Sequence, residues 1–452
     1  MEGRSMLRML IPVLSLVPWA WAQPFVVDGQ FDDWTSPAAE MSDPVGDAGG
    51  QLDATRLAGV LSQSTLHVRL DIASEQNLQA GSQPAPDLRL IIEPDGLAGL
   101  EVQFRNRVVR RLDTNEVLRW DAVGFASAPT FAAQRFEIRV DLSSLGVVGP
   151  GGVTLSLAGS DALDEPLRVP ATSPAPVPRG APIEPAPRPS VRLASLNTLR
   201  TGLFAPGQSD KLARLLVAAD ADAYLLQEEY NSSESQIVSL FNTILPLDKG
   251  VWRAHKRGDT AVVSRWPLVD LPSHDSSYSA AAMLTGHGPV VLVSIHPKCC
   301  GYIGSSEDQR RIDQAKLTAQ LVQEVRAGQY DGQVKLSGAP VIVGGDWNLV
   351  GSRMPLDILT APELEHMAEL RLVRTGAADT TTWRELDGLG FPPGRLDLMV
   401  YDCELLKPVR AEVLDTSMLT QDRLKQLGLF PDDSTGSDHL MLLTDFALAA
   451  QD

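Results

Sequence analysis

Cysteine is nearly absent: 452 residues contain three, Cys299, Cys300 and Cys403. So small and odd a set cannot supply the disulfide framework that stabilises small exported domains with thin cores. The adjacent pair also lacks the loop spacing that wraps a tetrahedral zinc ion. That leaves buried thiols, a vicinal bond or a bond to Cys403, and Cys403 falls on a strand-like segment suited to a core. Basic charge is short as well, with 39 Lys and Arg against 57 Asp and Glu and a formal charge of −18, which excludes a broad electrostatic grip on a polyanion. Past the first 22 residues no apolar run approaches the roughly 20 residues of a membrane-spanning helix. No internal repeat is present. The 21% charged and 44% hydrophobic residues match folded soluble domains, and the length suits two or three of them.

The first 22 residues read as an export signal: Arg4 and Arg8, an apolar run from Met9 to Val17, then Ala20-Trp21-Ala22 as a small-x-small cleavage site before Gln23. The run is too short for an anchor. A secreted or periplasmic chain starting near Gln23 is expected, with no transmembrane segment after cleavage. The clearest internal boundary is 170–190, where eight of 21 residues are proline. Such a stretch cannot build a core and prefers extended polyproline II. The expected division is a signal at 1–22, one domain at 23–169, a linker at 170–190 and a second domain at 191–452.

Residues 23–169 show short apolar or alternating runs broken by turn residues, such as Thr65 to Ile72, Leu88 to Glu93 and Arg135 to Val140. Without a long amphipathic helix, this pattern predicts an antiparallel β-sandwich. Asp43, Asp47 and Asp53 offer hard oxygens for a calcium ion, and the competing reading is acidic turns capping backbone amides. Trp34 is read as either a ligand platform or a core plug. The opening run Val26-Val27-Asp28-Gly29-Gln30-Phe31-Asp32-Asp33-Trp34, with Asp43-Pro44-Val45-Gly46-Asp47, resembles sugar-binding and DOMON-like modules of exported proteins. That resemblance implies a glycan or surface polymer as a partner.

In 191–452 strand-like and helix-like segments alternate, which predicts an α/β or α+β body. Polar residues follow or flank its apolar strands: Asn197, Glu228, His296, Asp346 with Asn348, Asp397, and Asp438 with His439. Carboxylates and amides at strand ends are costly unless paired, hydrated or metal-bound. Six strands offering them in one direction point to one site. The ordered segments Ser195-Leu196-Asn197, Leu226-Gln227-Glu228, Ser294-Ile295-His296, Gly345-Asp346-Trp347-Asn348, Arg395-Leu396-Asp397 and Ser437-Asp438-His439 resemble the endonuclease/exonuclease/phosphatase superfamily. The resemblance implies an α+β fold of four α/β/β/α layers and hydrolysis of phosphoesters.

By the same resemblance Glu228 is a ligand of magnesium or manganese, with Asn197 and Asp438 in or near its shell. His439 is the general base or an electrostatic partner of the nucleophile, and Asp397 fixes its tautomer. Asp346 orients water, Asn348 donates to a phosphoryl oxygen, and His296 contacts the phosphate or assists the leaving oxygen. Glu229 is the rival to Glu228 for the metal. The family's glutamate partner of the second histidine has no obvious counterpart, leaving Asp259 or Asp308 in its place. Arg310 and Arg311, near a helix start, are either phosphate contacts or a solvated face. His255, His274, His287 and His366 belong to no motif and are expected at the surface.

The second domain carries 24 basic and 34 acidic residues, so a nucleic-acid substrate would be held locally. A nuclease or general phosphodiesterase leads. A phospholipid or sugar-phosphate esterase is the enzymatic alternative, and Gly390-Phe391-Pro392-Pro393 the one small apolar tip. A catalytically silent binding protein is the non-enzymatic one.

Overall fold

The computed structural model describes residues 25–48, 52–78, 87–147, 151–172, 190–364, 366–372 and 380–448. The segment expected to be an export signal and most of the proline-rich segment lie outside the described residues.

The N-terminal domain is an antiparallel β domain, built as one continuous, curled sheet of eleven strands. Its inner face carries alternate residues of Ala54–Ser62, Thr65–Gln76, Leu88–Pro94 and Ala133–Asp141, among them Leu57, Leu61, Val68, Leu70, Leu90 and Ile138. The period of two puts one side of each strand into the core, so curling the sheet onto itself buries it. The single parallel pairing, Leu167–Thr172 beside Ala54–Ser62, lets one sheet continue into the other half. On the outer side Trp34 covers Ala58 and Val60.

The opening motif is a clasp rather than a ligand platform. Trp34 is 4% exposed, and its indole N–H donates to Glu137 Oε1 at 2.8 Å. The backbone N–H groups of Asp28 and Gly29 donate to Glu137 Oε2 at 3.0 and 2.8 Å. Burial and the charge of Asp28 push the Glu137 carboxyl up to about 8, against the pull of those backbone donors. Without the three donors a buried carboxylate would have no compensation for its lost hydration.

The C-terminal domain has the four expected layers. One six-stranded sheet runs in the order Arg253–Arg257, Thr260–Ser264, Ala223–Gln227, Ser190–Asn197, Met441–Leu448, Leu406–Leu414. The other runs Leu268–Asp270, Tyr278–Thr285, Gly288–Ile295, Val341–Asp346, Asp397–Asp402, Met367–Glu369. Both are mixed, with Ser190–Asn197 parallel to Ala223–Gln227 and Gly288–Ile295 parallel to Val341–Asp346. The sheets pack face to face through Val191, Leu193, Leu225 and Val262 against Leu292, Ile342 and Met399. Ala194, Leu196 and Leu226 point the other way, under the helices Ser209–Ala219 and Glu234–Ile244. The helices Ser306–Arg326 and Met354–Leu359 cover the second sheet. Burial on both faces explains why these strands read as unbroken apolar runs. Among the described residues no helix is long and apolar enough to cross a membrane.

Three local expectations are corrected. Cys403 stands just after a strand and is exposed, so it is no core residue, and all three cysteines are free, with Cys299 and Cys300 Sγ 3.0 Å apart. Arg311 is fully buried and donates to the carbonyls of Lys298 and Cys300, while Arg310 pairs with Asp275. Arg311 is therefore neither solvated nor open to phosphate, whereas Arg310 is exposed and keeps the solvated-face reading. Phe391 is half-buried, and Pro392 and Pro393 are buried, so this segment is not a free apolar tip.

The domains touch along the loop 384–395. Trp120 N–H donates to Gly388 O at 2.8 Å, the Trp120 indole to Gly390 O at 3.0 Å, and Ser127 N–H to Pro393 O at 3.3 Å. Thr130 Oγ1 donates to Leu349 O, and Ala132 N–H to Gly351 O.

Candidate active site

Adjacent strand ends of the two packed sheets bring the eight predicted residues into one network. Asp346 lies at its centre. Its Oδ2 is 3.5 Å from His296 Nε2 and 3.6 Å from His439 Nε2, and it accepts the Asn197 amide N–H at 3.1 Å. Gly345 makes this approach practicable. At φ +149° it occupies a region that favours glycine, and a Cβ there would fall 2.1 Å from Ile295 O, the carbonyl just before His296. Asp346 Oδ1 accepts Asn348 N–H at 2.9 Å. The Asn348 amide points to Asp346 Oδ2 and Pro297 O, at 3.3 and 3.2 Å.

Each histidine has a carboxylate on its far nitrogen. His439 Nδ1 is 2.8 Å from Asp397 Oδ2, both side chains nearly or wholly buried. His296 Nδ1 is 2.5 Å from Asp259 Oδ2. The partner of the second histidine is therefore Asp259, in the turn between Arg253–Arg257 and Thr260–Ser264. Asp308 instead accepts from Gly304 N–H, Ser352 N–H and Arg311, and so organises a helix start. Burial would lower both imidazole pKa values, but the neighbouring carboxylates prevail. His439, facing Asp397, Asp346 and Asp438, is pushed up to about 10, and His296, facing Asp259, Asp346 and Glu228, to about 9.

Glu228 follows its strand with φ +61°, a left-handed conformation uncommon for this residue type and worth noting at a site. Its Oε1 accepts the Asn197 amide at 3.2 Å, its Oε2 accepts Arg200 N–H at 2.8 Å, and His296 Nε2 is 4.0 Å away. The left-handed run Leu199, Arg200, Thr201 wraps the chain around it. Glu229 faces the other way. It is fully buried and accepts from Thr198 Oγ1 at 2.7 Å and Ser232 Oγ at 2.6 Å. Asn197 turns its amide oxygen to Leu199 N–H at 3.0 Å, so it orients Glu228 and Asp346 with its N–H groups. Asp438 accepts from Trp383 Nε1 at 3.2 Å and from Ser437 Oγ at 3.4 Å.

Residues 194–439 match the Endonuclease/Exonuclease/phosphatase family. The chain belongs to that family. No curated protein sequence matches it. Among solved structures it is similar to the human Nocturnin catalytic domain with bound sulfate anion, at 16% identity and TM-score 0.39, over 60% of this chain and 99% of that one. It is also similar to D. rerio TDP2 complexed with single strand DNA product, at 16% identity and TM-score 0.39, over 57% and 99%. A third likeness is SmcL, at 18% identity and TM-score 0.36, over 57% and 99%.

Two participants escaped the sequence reading of this family member. Trp383 gives no signal of its own, because its contact with Asp438 spans 55 residues. Tyr230 adjoins the Gln-Glu motif and is exposed, and the negative charge of Glu228 and Asp259 adds to burial in pushing its phenol up. The unassigned histidines are occupied elsewhere. His274 meets Glu324 at 2.7 Å, His366 meets Glu404 at 2.7 Å, His255 meets Asp270 at 3.3 Å, and His287 is exposed.

In the N-terminal domain a second acidic group is present. Asp43, Asp47 and Asp161 each place a carboxylate oxygen within 4.8 Å of the others, an arrangement able to coordinate a divalent metal. Asp161 replaces the expected Asp53, whose Oδ2 accepts Gly46 N–H at 2.7 Å. Asp43 is 7% exposed with Oδ2 lacking a hydrogen-bond partner, and burial with the charges of Asp47, Asp161, Asp164 and Asp53 pushes its carboxyl up to about 6.

Proposed function

We propose that this family member is an exported, divalent-metal-dependent phosphodiesterase that cleaves nucleic acid by in-line attack of water. The observation that carries the reading is Asp346 Oδ2 lying between two imidazoles, each held from behind by its own carboxylate. Paired acid and base groups on either side of one point suit a displacement in which one oxygen gains a bond to phosphorus while another loses it.

The donor set fits a hard ion. Glu228, Asp259, Asp346, Asp397 and Asp438 concentrate negative charge around two imidazoles, and the oxygens of Glu228 and Asp438 suit magnesium or manganese. Such an ion supplies charge neutralisation at the phosphoryl oxygens. The remaining roles belong to the chain. Asp346 orients the attacking water, and His439 faces it through Nε2 while Asp397 holds the Nδ1 proton and with it the ring's orientation. The Asn348 amide donates to a non-bridging oxygen, and His296, fixed by Asp259, contacts the phosphate or the leaving oxygen. Asn197 keeps Glu228 and Asp346 in register.

The N-terminal domain is proposed to hold calcium at Asp43, Asp47 and Asp161, supported by the buried, unpartnered Asp43 oxygen. A glycan ligand has less to rest on, since Trp34 and Trp120 are buried and no aromatic of this domain is exposed among the described residues. Hydrolysis of bis-p-nitrophenyl phosphate and a thymidine oligonucleotide, with magnesium and with EDTA, tests the catalytic reading. Metal-dependent cleavage of both is expected, and metal-independent or absent cleavage overturns it.

A further inference from the structure

The turn Phe104-Arg105-Asn106-Arg107 joins two strands of the N-terminal domain, Leu100–Gln103 and Val108–Arg111, and reaches across to the other domain. The Arg107 guanidinium sits 3.4 Å from the centroid of the Phe391 ring. Phe391 stands edge-on to Trp383, with centroids 6.2 Å apart and planes at 72°. The Trp383 indole donates to Asp438, and its backbone bridges to His439. An unbroken row of contacts thus runs from the N-terminal hairpin to the candidate metal ligand.

A second row leads back to the site through other residues. Arg107 lies within electrostatic reach of Cys300, and Cys300 Sγ is 3.0 Å from Cys299 Sγ. Cys299 in turn is within reach of Tyr230, which senses Glu228 and Asp259. Arg107 is where the two rows meet, so the N-terminal hairpin lies beside the candidate site.

The guanidinium is poorly satisfied there. Its Nε is buried without a hydrogen-bond partner, and among the described residues it makes no ion pair. Two other arginines of the same domain are fully engaged, Arg111 by Asp113 and Arg119 by Asp121, each through two hydrogen bonds. Burial lowers the Arg107 pKa, with Glu385 and Cys300 opposing the fall. A fork of donors braced by an aromatic ring and left without an acceptor matches the geometry by which arginine takes a phosphate.

Building on the phosphodiesterase reading, we propose that Arg107 binds a phosphate adjoining the scissile one in a single-stranded nucleic acid, so that the N-terminal domain is part of the substrate site. Two features favour a strand over a phospholipid. A strand presents a second phosphate beside the first, whereas a choline headgroup would bring its cation against the guanidinium. Exposed Tyr230, which senses Glu228 and Asp259 at the far end of the second row, also offers a ring on which a base can stack. In a domain with 34 acidic and 24 basic residues, a cation lent by the neighbouring domain supplies the local grip that bulk charge does not.

The test compares bis-p-nitrophenyl phosphate, with one anionic group, and a 5′-phosphorylated thymidine trinucleotide in the full chain. Arg107→Ala should raise KM for the trinucleotide about tenfold or more, leave its kcat within about threefold and leave bis-p-nitrophenyl phosphate kinetics unchanged. Arg107→Lys should recover part of the loss, and the salt dependence of log KM should flatten in the alanine variant. Equal losses on both substrates would mean a structural wall, and no loss on either would mean no contact; both overturn the proposal. Wild-type cleavage of sphingomyelin vesicles but not the trinucleotide overturns the nucleic-acid assignment. If wild type cleaves nothing, the phosphodiesterase reading fails. Calorimetric binding of the trinucleotide in calcium then decides Arg107 alone, equal affinity of wild type and Arg107→Ala overturning it.

Discussion

Glu228 and Glu229 are neighbours in the chain with opposite surroundings, and replacing them one at a time separates metal binding from folding. Glu229 accepts two hydroxyl hydrogen bonds, 2.6 and 2.7 Å long, in a fully buried position. Glu229→Ala strands both donors at about 1–3 kcal/mol each and leaves a small void. A total of about 3–5 kcal/mol, at about 2–4 °C per kcal/mol for a domain of this size, lowers the melting temperature by about 10 °C. Glu228→Gln costs the apo fold less: its one oxygen still accepts Arg200 N–H, while the new NH2 group, partly solvated, turns toward the Asn197 amide that donated to Oε1, for a loss of about 1 kcal/mol. The magnesium response should divide the other way. Magnesium at a hundred times its Kd stabilises the wild type by about 2.7 kcal/mol, or about 5–10 °C, and Glu229→Ala should keep that increment while Glu228→Gln loses it. Thermal melts in EDTA and in magnesium read all of these. A Glu228→Gln protein that still gains the full increment, or a Glu229→Ala protein that alone loses it, would refute the assignment of the metal to Glu228.

Three further outcomes are expected. Asp397→Asn should keep the fold yet reduce kcat by about 10² to 10⁴, because an amide no longer fixes the His439 tautomer; a kcat within twofold of wild type would show that the His439–Asp397 contact is dispensable. Glu137→Gln turns an NH2 group toward the N–H donors of Trp34, Asp28 or Gly29 and should cost about 2–4 kcal/mol in chemical denaturation, with an unchanged midpoint ruling out the clasp. Asp43, with a folded-state pKa of about 6 above its ordinary 3.8, holds its proton more tightly in the folded state. Its contribution in EDTA is therefore present below about pH 4 and declines as pH rises through 6. Calcium at pH 7.5 should raise the melting temperature, and Asp43→Asn should abolish that rise; an identical calcium response in the variant would remove the site.

The strands that carry the site were legible because burial on both faces leaves unbroken apolar runs. Ser190–Asn197, Ala223–Gln227 and Val341–Asp346 are such runs, and the polar residue at or after each end stands out against them. Other strands of the same sheets were hidden. Half of Tyr278–Thr285 is alanine and serine, which carry little hydrophobic signal. Arg253–Arg257 is a charged edge strand, and Leu406–Leu414 contains Pro408 beside a bulge. The candidate site was legible as a set but not in its supporting contacts. Asp259, one of the two candidates for the partner of His296, reaches it across 37 residues, and nothing in the chain between them sets it above Asp308. The calcium reading named Asp53 because it lies near Asp47, whereas curling of the sheet brings Asp161 there instead. The meeting of Arg107 with Phe391 depends on how two domains dock, which no local pattern records.

The most direct test of the account is the rate of phosphodiester cleavage by the mature chain and its His439→Ala variant, in magnesium and after EDTA. The account predicts turnover by the wild type in magnesium, its loss in EDTA and recovery on adding magnesium back. It also predicts a drop of about a hundredfold or more in a variant whose circular dichroism spectrum matches wild type. Turnover that survives both EDTA and His439→Ala would contradict it.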